Sequence, residues 1–132
     1  MVFAQMLTFE NLPIPPSGNN LFPSSKRGGR FISPRYRAWR KEAGLMLRGA
    51  VGMRGPVVLE YLFEDGATRA DLGNLEKAVT DLLVTHRIIE GDGPAIVRSI
   101  TLAWSFYTSG LTVRVCNEID SNPRGRCEPN QC

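Results

Sequence analysis

The sequence predicts an α/β (α+β) fold, in which a single mixed β-sheet is backed by two main helices. Four segments are rich in β-branched and aromatic residues, as strands are, and two segments repeat apolar residues every three or four positions, as amphipathic helices do. Their order is strand, helix, strand, helix and two strands, which makes one sheet with a helical layer. No internal repeat or linker divides the 132 residues. We therefore expect one domain over residues 1–120 and a loose tail over residues 121–132.

The first half of the chain contains a strand, a loop and a helix. Residues 6–10 alternate weakly in polarity and predict the first strand, whereas the three prolines of residues 12–20 exclude regular structure there. Ser33 and Pro34 predict a helix start, because a hydroxyl cap and a proline in the first turn are typical of one. This helix should run to about residue 47. Its apolar face would consist of Tyr36, Trp39, Ala43 and Met46 or Leu47.

The second half contains a strand, a helix and two further strands. The run VVLEYLF at residues 57–63 predicts a strand. Residues 71–86 predict a second helix with an apolar arc on one side and polar residues on the other. Two β-rich runs, at residues 97–107 and 111–117, are separated by a short polar turn and predict a closing hairpin.

Charge is distributed unevenly along the chain. The formal net charge is +3, but residues 26–59 carry nine basic groups and one acidic group, whereas residues 60–92 carry eight acidic groups and three basic ones. This division suits a protein that attracts a polyanion with one region and holds a cation with another. Basic segments are also common on ordinary solvated surfaces, so charge alone leaves that alternative open.

Composition argues against several classes of protein. Every apolar run is shorter than the ~18 residues of a membrane-spanning helix, so we expect no membrane association. No secretory signal is visible, which predicts a cytoplasmic location. Three cysteines and one histidine, with no CxxC pair, argue against a structural zinc site. We expect Cys116 to be a buried thiol and the two tail cysteines to stay reduced.

The residues best suited to catalysis lie on the second predicted helix and in the turn after it. Asp71 precedes the helix, Asn74 and Lys77 share one face of it, and Asp92 lies in a glycine-rich turn. Converging carboxylates would suit Mg²⁺, which takes few protein carboxylates and completes its octahedron with water and phosphate oxygens. Such an ion activates water, and a nearby ammonium group stabilises the transition state. The spacing also fits a simpler arrangement, in which Asp71 caps the helix and Lys77 is solvated.

These residues form a pattern that resembles the RusA-type Holliday junction resolvases over about residues 10–117. The motif DxDNxxK, followed by an aspartate ~20 residues after the first, is fairly specific for a chain this short. The resemblance implies a small homodimeric endonuclease of the kind commonly carried by prophages, dependent on Mg²⁺ with Mn²⁺ as a substitute. It also implies binding to branched DNA, the four-way junction, and symmetric nicking of two opposed strands. The matching positions are Pro15-Pro16-Ser17, Asn19, Tyr36, Trp39, Asp71-Leu-Gly-Asn74-Leu-Glu-Lys77 and Asp92.

The resemblance assigns a role to each matching site residue. Asp71 and Asp92 correspond to acidic positions that hold the metal, and Lys77 corresponds to the lysine that assists cleavage. Asn74 is the asparagine of the motif and is expected, with Arg69, to contact DNA. A basic loop ahead of the first helix supplies the strongest candidates for backbone phosphate contacts, since it has no evident packing role. These are Lys26, Arg27 and Arg30.

The chain departs from the family pattern at the motif itself. Gly73 stands where relatives carry the second aspartate of DxDN, and Gly91 stands where an acidic residue commonly precedes the late aspartate. Glycine has no side chain with which to coordinate a metal ion. We therefore expect a resolvase fold whose cleavage activity is reduced. Two alternatives stay open: a branched-DNA-binding protein of the same fold that does not cleave, and a small domain whose charge asymmetry serves protein association.

Aromatic residues and the histidine have simpler predicted roles. Tyr36 and Trp39 fit base stacking, but their helical spacing favours the core. Trp104 lies in a predicted strand and is expected in the core. His86 ends the apolar arc of the second helix and is expected to be a packed or helix-capping residue.

Overall fold

A computed structural model describes residues 5–18 and 32–118, which form a four-stranded sheet with two helices packed against it. The predicted α+β class, with a single mixed sheet, is confirmed. The basic loop with Lys26, Arg27 and Arg30 and the predicted tail lie outside the described residues. In chain order the elements are β1 (Met6–Leu12), α1 (Pro34–Leu47), β2 (Val57–Glu64), α2 (Gly73–Thr85), β3 (Val97–Ser105) and β4 (Leu111–Asn117).

Strand β2 lies inside the sheet and organises it. The strand order is β1-β4-β2-β3, with β2 antiparallel to β4 and parallel to β3. Because α2 returns the chain to the start of β2, β3 pairs with β2 in parallel. Strand β4, which is buried along most of its length, pairs on the other side of β2, between β2 and β1. The predicted hairpin of the last two strands is therefore wrong. Their connection instead passes the end of β2, where Gly110 adopts a φ of 68° close to the carbonyl of Leu12.

Helix α1 begins and ends as its sequence predicts. The Ser33 side chain accepts a hydrogen bond from the N–H of Tyr36 (3.1 Å), and Pro34 occupies the first turn. Gly49, just past the helix, has a φ of 82°, a conformation that glycine adopts without the steric cost other residues meet. These local signals explain why the predicted bounds of α1 agree with the structure.

The core lies between one face of the sheet and the two helices. Alternate residues of β2 (Val57, Leu59, Tyr61 and Phe63) are fully buried, as the period of two in a strand requires. Helices α1 and α2 cover this face with apolar side chains. Their buried apolar residues are Tyr36, Trp39, Ala43, Leu47, Leu75, Ala78, Val79, Leu82 and Leu83.

The structure decides three of the single-residue predictions. Tyr36 and Trp39 belong to the core, where their rings stack with centroids 6.1 Å apart. Trp104 does not belong to it: the side chain is 37% exposed, because β3 is an edge strand, although its ring contacts Phe63. Cys116 is buried as predicted, and burial raises the pKa of its thiol.

Candidate functional site

A polar cleft of about 470 Å³ lies at the N-terminal end of α2. Three segments that are distant in sequence form it: residues 14–17 after β1, Arg35 in the first turn of α1, and residues 67–71 together with Asn74 before and within α2. Of the eight predicted site residues, the three in the basic loop lie outside the described residues and the other five lie within them. Three of these five line the cleft, and they are Arg69, Asp71 and Asn74.

The approach to α2 is shaped by local hydrogen bonds. The N–H of Asn74 donates to the carbonyl of Asp71 (2.9 Å), and the N–H of Ala70 donates to the Thr68 hydroxyl (3.1 Å). The N-cap position is Leu72, and no side chain caps the helix. Asp71 is therefore not a helix cap, and the simpler arrangement predicted for it is wrong.

The proline-rich segment forms the opposite wall of the cleft. The indole N–H of Trp39 donates to the carbonyl of Pro13 (2.8 Å), which fixes this segment against α1. Farther along, Gly18 lies so close to α2 that a Cβ there would stand 3.1 Å from the carbonyl oxygen of Asn74. The described chain stops at Gly18 and resumes at Ile32, next to the first turn of α1. The last described residue before the predicted basic loop thus follows the cleft-lining Ser17, and the first described residue after it is three positions before the cleft-lining Arg35.

The cleft combines cationic side chains with one carboxylate. The Arg35 and Arg69 guanidinium groups and the uncapped N-terminal end of α2 all favour an anion. Asp71 contributes the opposite charge at the same place. The arginines suit a phosphate group, and Asp71 suits a cation bound next to it. A phosphodiester with a bound metal ion presents both.

Lys77 lies on α2 one turn beyond Asn74 and outside the cleft lining. Its ammonium nitrogen is 3.6 Å from a carboxylate oxygen of Asp81, and its side chain is 67% exposed. Exposed pairs of this kind contribute little to stability. The ammonium group can therefore exchange Asp81 for a ligand that reaches this face of the helix.

Asp92 lies at the other end of α2, away from the cleft. After α2 the chain runs beside the start of β2, where the N–H of Val57 donates to the carbonyl of Ile96 (2.7 Å). Asp71, by contrast, follows the segment that leaves the end of β2. The 13 residues of α2 separate the two aspartates, a length of about 20 Å. The expected convergence of Asp71 and Asp92 is therefore corrected: one chain does not bring them together.

Within the described residues of one chain, the cleft offers few protein ligands for Mg²⁺. Among the described residues, no group of three or more histidine, cysteine, aspartate or glutamate side chains is close enough to hold a metal ion. The cleft offers one carboxylate, Asp71, and one amide, Asn74. Gly73, the first residue of α2, has open space around it, so the missing carboxylate of the motif would meet no obstacle there.

Two features of the site region were missed from the sequence. Arg35 lines the cleft because α1 begins beside the proline-rich segment, a tertiary contact that no local pattern indicates. Within α2, the hydroxyl of Thr80 donates to the Glu76 carboxylate (2.6 Å) and also pairs with the Tyr61 hydroxyl (2.8 Å). Burial raises the pKa of Tyr61 well above its ordinary value, an effect that the Thr80 hydrogen bond partly offsets. This network commits Glu76 to holding α2 on β2, so it does not supply the missing ligand.

His86 occupies the C-cap position of α2, in agreement with its predicted capping role. Its imidazole lies against α1, where a Cβ on Gly44 would stand 2.5 Å from Nε2. The histidine therefore contributes to helix packing at the end of α2 that is remote from the cleft.

In the described portion, no helix is long and apolar enough to cross a membrane. No protein-family model matches the chain, and no curated protein matches it significantly. The resemblance to RusA-type resolvases therefore rests on the residues quoted above.

Proposed function

We propose that this protein is a Mg²⁺-dependent endonuclease that binds four-way DNA junctions and cuts them as a homodimer. The observation that carries the proposal is the polar cleft, where Asp71 and Asn74 of the motif lie beside Arg35 and Arg69. Lys26, Arg27 and Arg30, which lie outside the described residues, stay further candidates for phosphate contacts from the charge pattern of the sequence. The cleft thus combines phosphate-binding groups with the first carboxylate of the motif.

The separation of the two aspartates makes the dimer a requirement of this proposal. Both side chains are exposed, at opposite ends of α2. A two-fold axis that pairs α2 of one subunit with α2 of its partner in antiparallel fashion brings Asp71 of each subunit to Asp92 of the partner subunit, twice. Two equivalent sites related by a two-fold axis are also what paired symmetric cuts in a four-way junction need.

In this arrangement each residue has a distinct task. Arg35 and Arg69 bind the phosphates flanking the scissile bond and set its register. Asp71, with Asp92 of the partner subunit, would hold the Mg²⁺, which supplies charge neutralisation and an activated water when bound. Lys77 leaves Asp81 and places its ammonium group beside the phosphate, where it stabilises developing negative charge.

Subunit mixing tests the proposal directly. We expect Asp71→Asn and Asp92→Asn chains each to be inactive on a synthetic four-way junction with Mg²⁺. When the two variants are mixed one to one and exchange subunits, half of the dimers contain one chain of each variant. In such a dimer, one of the two sites has both carboxylates intact. We expect nicking to return to about a quarter of the wild-type rate per subunit. No recovery, with exchange verified by mass, would overturn the shared site.

A second function is favoured by Gly73 and by the single carboxylate in the cleft. A chain that has lost a metal ligand but kept its arginines would bind junctions by shape without cutting them. Junction binding in the absence of Mg²⁺, together with no nicking in Mg²⁺ or Mn²⁺, would support this second, non-cleaving function. Equal affinity for four-way and linear DNA would instead contradict both functions and favour the protein-association alternative.

A further inference from the structure

A pair of exposed aromatic rings lies just after the C-terminal end of β3, at the end of the sheet from which β2 leads into the cleft. Phe106 is 85% exposed and Tyr107 is 99% exposed, in the connection between β3 and β4. Large apolar side chains this accessible are uncommon, and adjacent ones indicate a contact surface. Neither the core nor the cleft uses these two rings.

Hydrogen bonds hold this connection in place. The N–H of Asp65 donates to the carbonyl of Ser105 (3.0 Å), and the N–H of Gly110 donates to the Glu64 carboxylate (2.8 Å). Within the turn, the N–H of Tyr107 donates to the Ser105 hydroxyl (3.1 Å). The rings are thus presented on a fixed backbone, so a partner that stacks on them orders little additional chain.

The connection and the cleft are linked through the end of β2. Glu64 receives the hydrogen bond from Gly110, and seven residues later the chain reaches Asp71 in the cleft. On the other side, Gly110 lies against the carbonyl of Leu12, directly before the proline-rich wall. The connection that carries the rings is thus held against both β2 and β1, the two strands that lead into the walls of the cleft.

We infer that Phe106 and Tyr107 form a stacking surface for unpaired nucleobases. This inference rests on the proposed function, which brings DNA to this edge. Glu64 and Asp65 beside the connection disfavour a phosphate there, whereas an uncharged base face stacks on an aromatic ring whatever its sequence. The two rings expose on the order of 400 Å² in total. That area falls short of the ~800 Å² per partner of a stable protein interface, which argues against a second copy as the occupant.

The test uses a single-stranded oligothymidylate, a four-way junction carrying 2-aminopurine at its branch point, and a linear duplex, all without Mg²⁺. We expect the double variant Phe106→Ala/Tyr107→Ala to bind the single strand about 10- to 30-fold more weakly than the wild type. We also expect wild-type binding to alter the 2-aminopurine fluorescence of the junction, and binding of the double variant to leave that fluorescence unchanged. Duplex binding should change less than twofold. The control is Val51→Ala, which truncates an equally exposed (84%) apolar side chain after α1.

Further variants separate ring stacking from plain apolar contact and from dimerisation. Tyr107→Phe should keep wild-type affinity for the single strand, whereas leucine at both positions should lose it, because leucine is apolar but has no planar face. If the alanine pair leaves the affinity for the single strand unchanged, the stacking inference is overturned. The proposed function is not affected by that result, provided that the protein still binds the four-way junction. Conversion of a dimer to a monomer by the same pair, measured by sedimentation, also overturns it and assigns the rings to an interface between copies.

Discussion

The two ends of helix α2 have different surroundings: the segment that follows the C-terminal end packs closely against the chain before β2, whereas the N-terminal end faces the polar cleft. At the C-terminal end, a side chain on Gly52 would collide with the carbonyl of Arg87, and the N–H of Gly55 donates to the Glu90 carboxylate. At the N-terminal end, Gly73 has no neighbour within van der Waals contact of an added Cβ.

This difference shows which end stabilises the fold and which end is available to a ligand. Close backbone packing at the C-terminal end holds the returning chain against β2, so that β3 can pair there. The N-terminal end, which no side chain caps, lies beside Arg35 and Arg69 at the open cleft. Substitutions at the two ends should accordingly affect different properties: stability at the C-terminal end, and ligand binding at the N-terminal end.

The largest effect is expected from Gly52→Ala. The new methyl group would meet the carbonyl oxygens of Arg87 and Ile88, which are backbone atoms and cannot rotate away. Relieving the collision requires the segment after α2 to move, and we expect the free energy of unfolding to fall by about 3 kcal/mol. Chemical denaturation monitored by circular dichroism measures this change.

Gly91→Ala is the matched control for that substitution. Gly91 lies in the same returning segment but has open space where a Cβ would stand. Its replacement should alter the free energy of unfolding by less than about 0.5 kcal/mol. Equal effects of the two substitutions would mean that the C-terminal end of α2 is not closely packed, and the contrast between the ends would disappear.

Arg35→Ala tests the N-terminal end. Loss of one phosphate contact should weaken junction binding roughly tenfold at low salt and reduce the slope of log affinity against log salt by about one. Stability should be nearly unchanged, since Arg35 is exposed. Arg48→Ala, which removes the same charge at the opposite end of α1, should alter binding less than twofold. An equal loss for both arginines would indicate a diffuse electrostatic attraction rather than a cleft.

Tyr61→Phe tests the middle of α2, where the buried network joins the helix to β2. Losing the hydrogen bond between Tyr61 and Thr80 should cost about 1 kcal/mol near neutral pH. The pKa of Tyr61 is raised in the folded protein above its ordinary value of 10.0, mainly by burial. The stability that comes from a buried neutral hydroxyl is therefore complete below pH 10 and is lost as the pH rises further.

The sharper measurement is the free energy of unfolding at alkaline pH, compared between the wild type and Tyr61→Phe. Above pH 10 the unfolded chain releases the Tyr61 proton while the folded chain keeps it, so wild-type stability should decline by up to about 1.4 kcal/mol for each pH unit from this group. Tyr36, whose pKa is also raised by burial, contributes in the same direction in both proteins. The decline should be shallower in Tyr61→Phe, and parallel curves would show that Tyr61 does not titrate in this way.

Local signals in the sequence determine most of the elements correctly. The Ser33-Pro34 start of α1, the run that forms β2 and the amphipathic stripe of α2 each depend on neighbours within one or two turns. Strand pairing does not depend on such signals. The turn between β3 and β4 has the composition of a hairpin, yet β2 lies between these strands, because β4 is buried along most of its length and occupies the interior of the sheet beside β1.

The candidate site was predicted only in part, for a similar reason. Asp71 and Asn74 are three residues apart, so their neighbourhood follows from one helical turn. Asp92 is equally prominent in the sequence pattern, but the length of α2 carries it to the far end. Arg35 joins the cleft through the packing of the proline-rich segment on Trp39, a contact between positions 26 residues apart.

A small effect, and the one most specific to the N-terminal end, is expected from Gly73→Asp. This substitution restores the motif carboxylate at a position with room for it. An acidic residue in place of glycine in the first turn of α2 should raise the free energy of unfolding by about 1 kcal/mol, through higher helix propensity and a favourable interaction with the helix dipole.

Gly73→Asn and added Mg²⁺ separate the two consequences of that change. Asparagine has nearly the same shape without the charge, so it should recover less of the stability. Millimolar Mg²⁺ should raise the melting temperature of Gly73→Asp more than that of the wild type or of Gly73→Asn, because a second carboxylate beside Asp71 gives a single chain a tighter metal site. A uniform response of all three proteins to Mg²⁺ would show that the N-terminal end of α2 does not bind the ion, whichever carboxylates it carries.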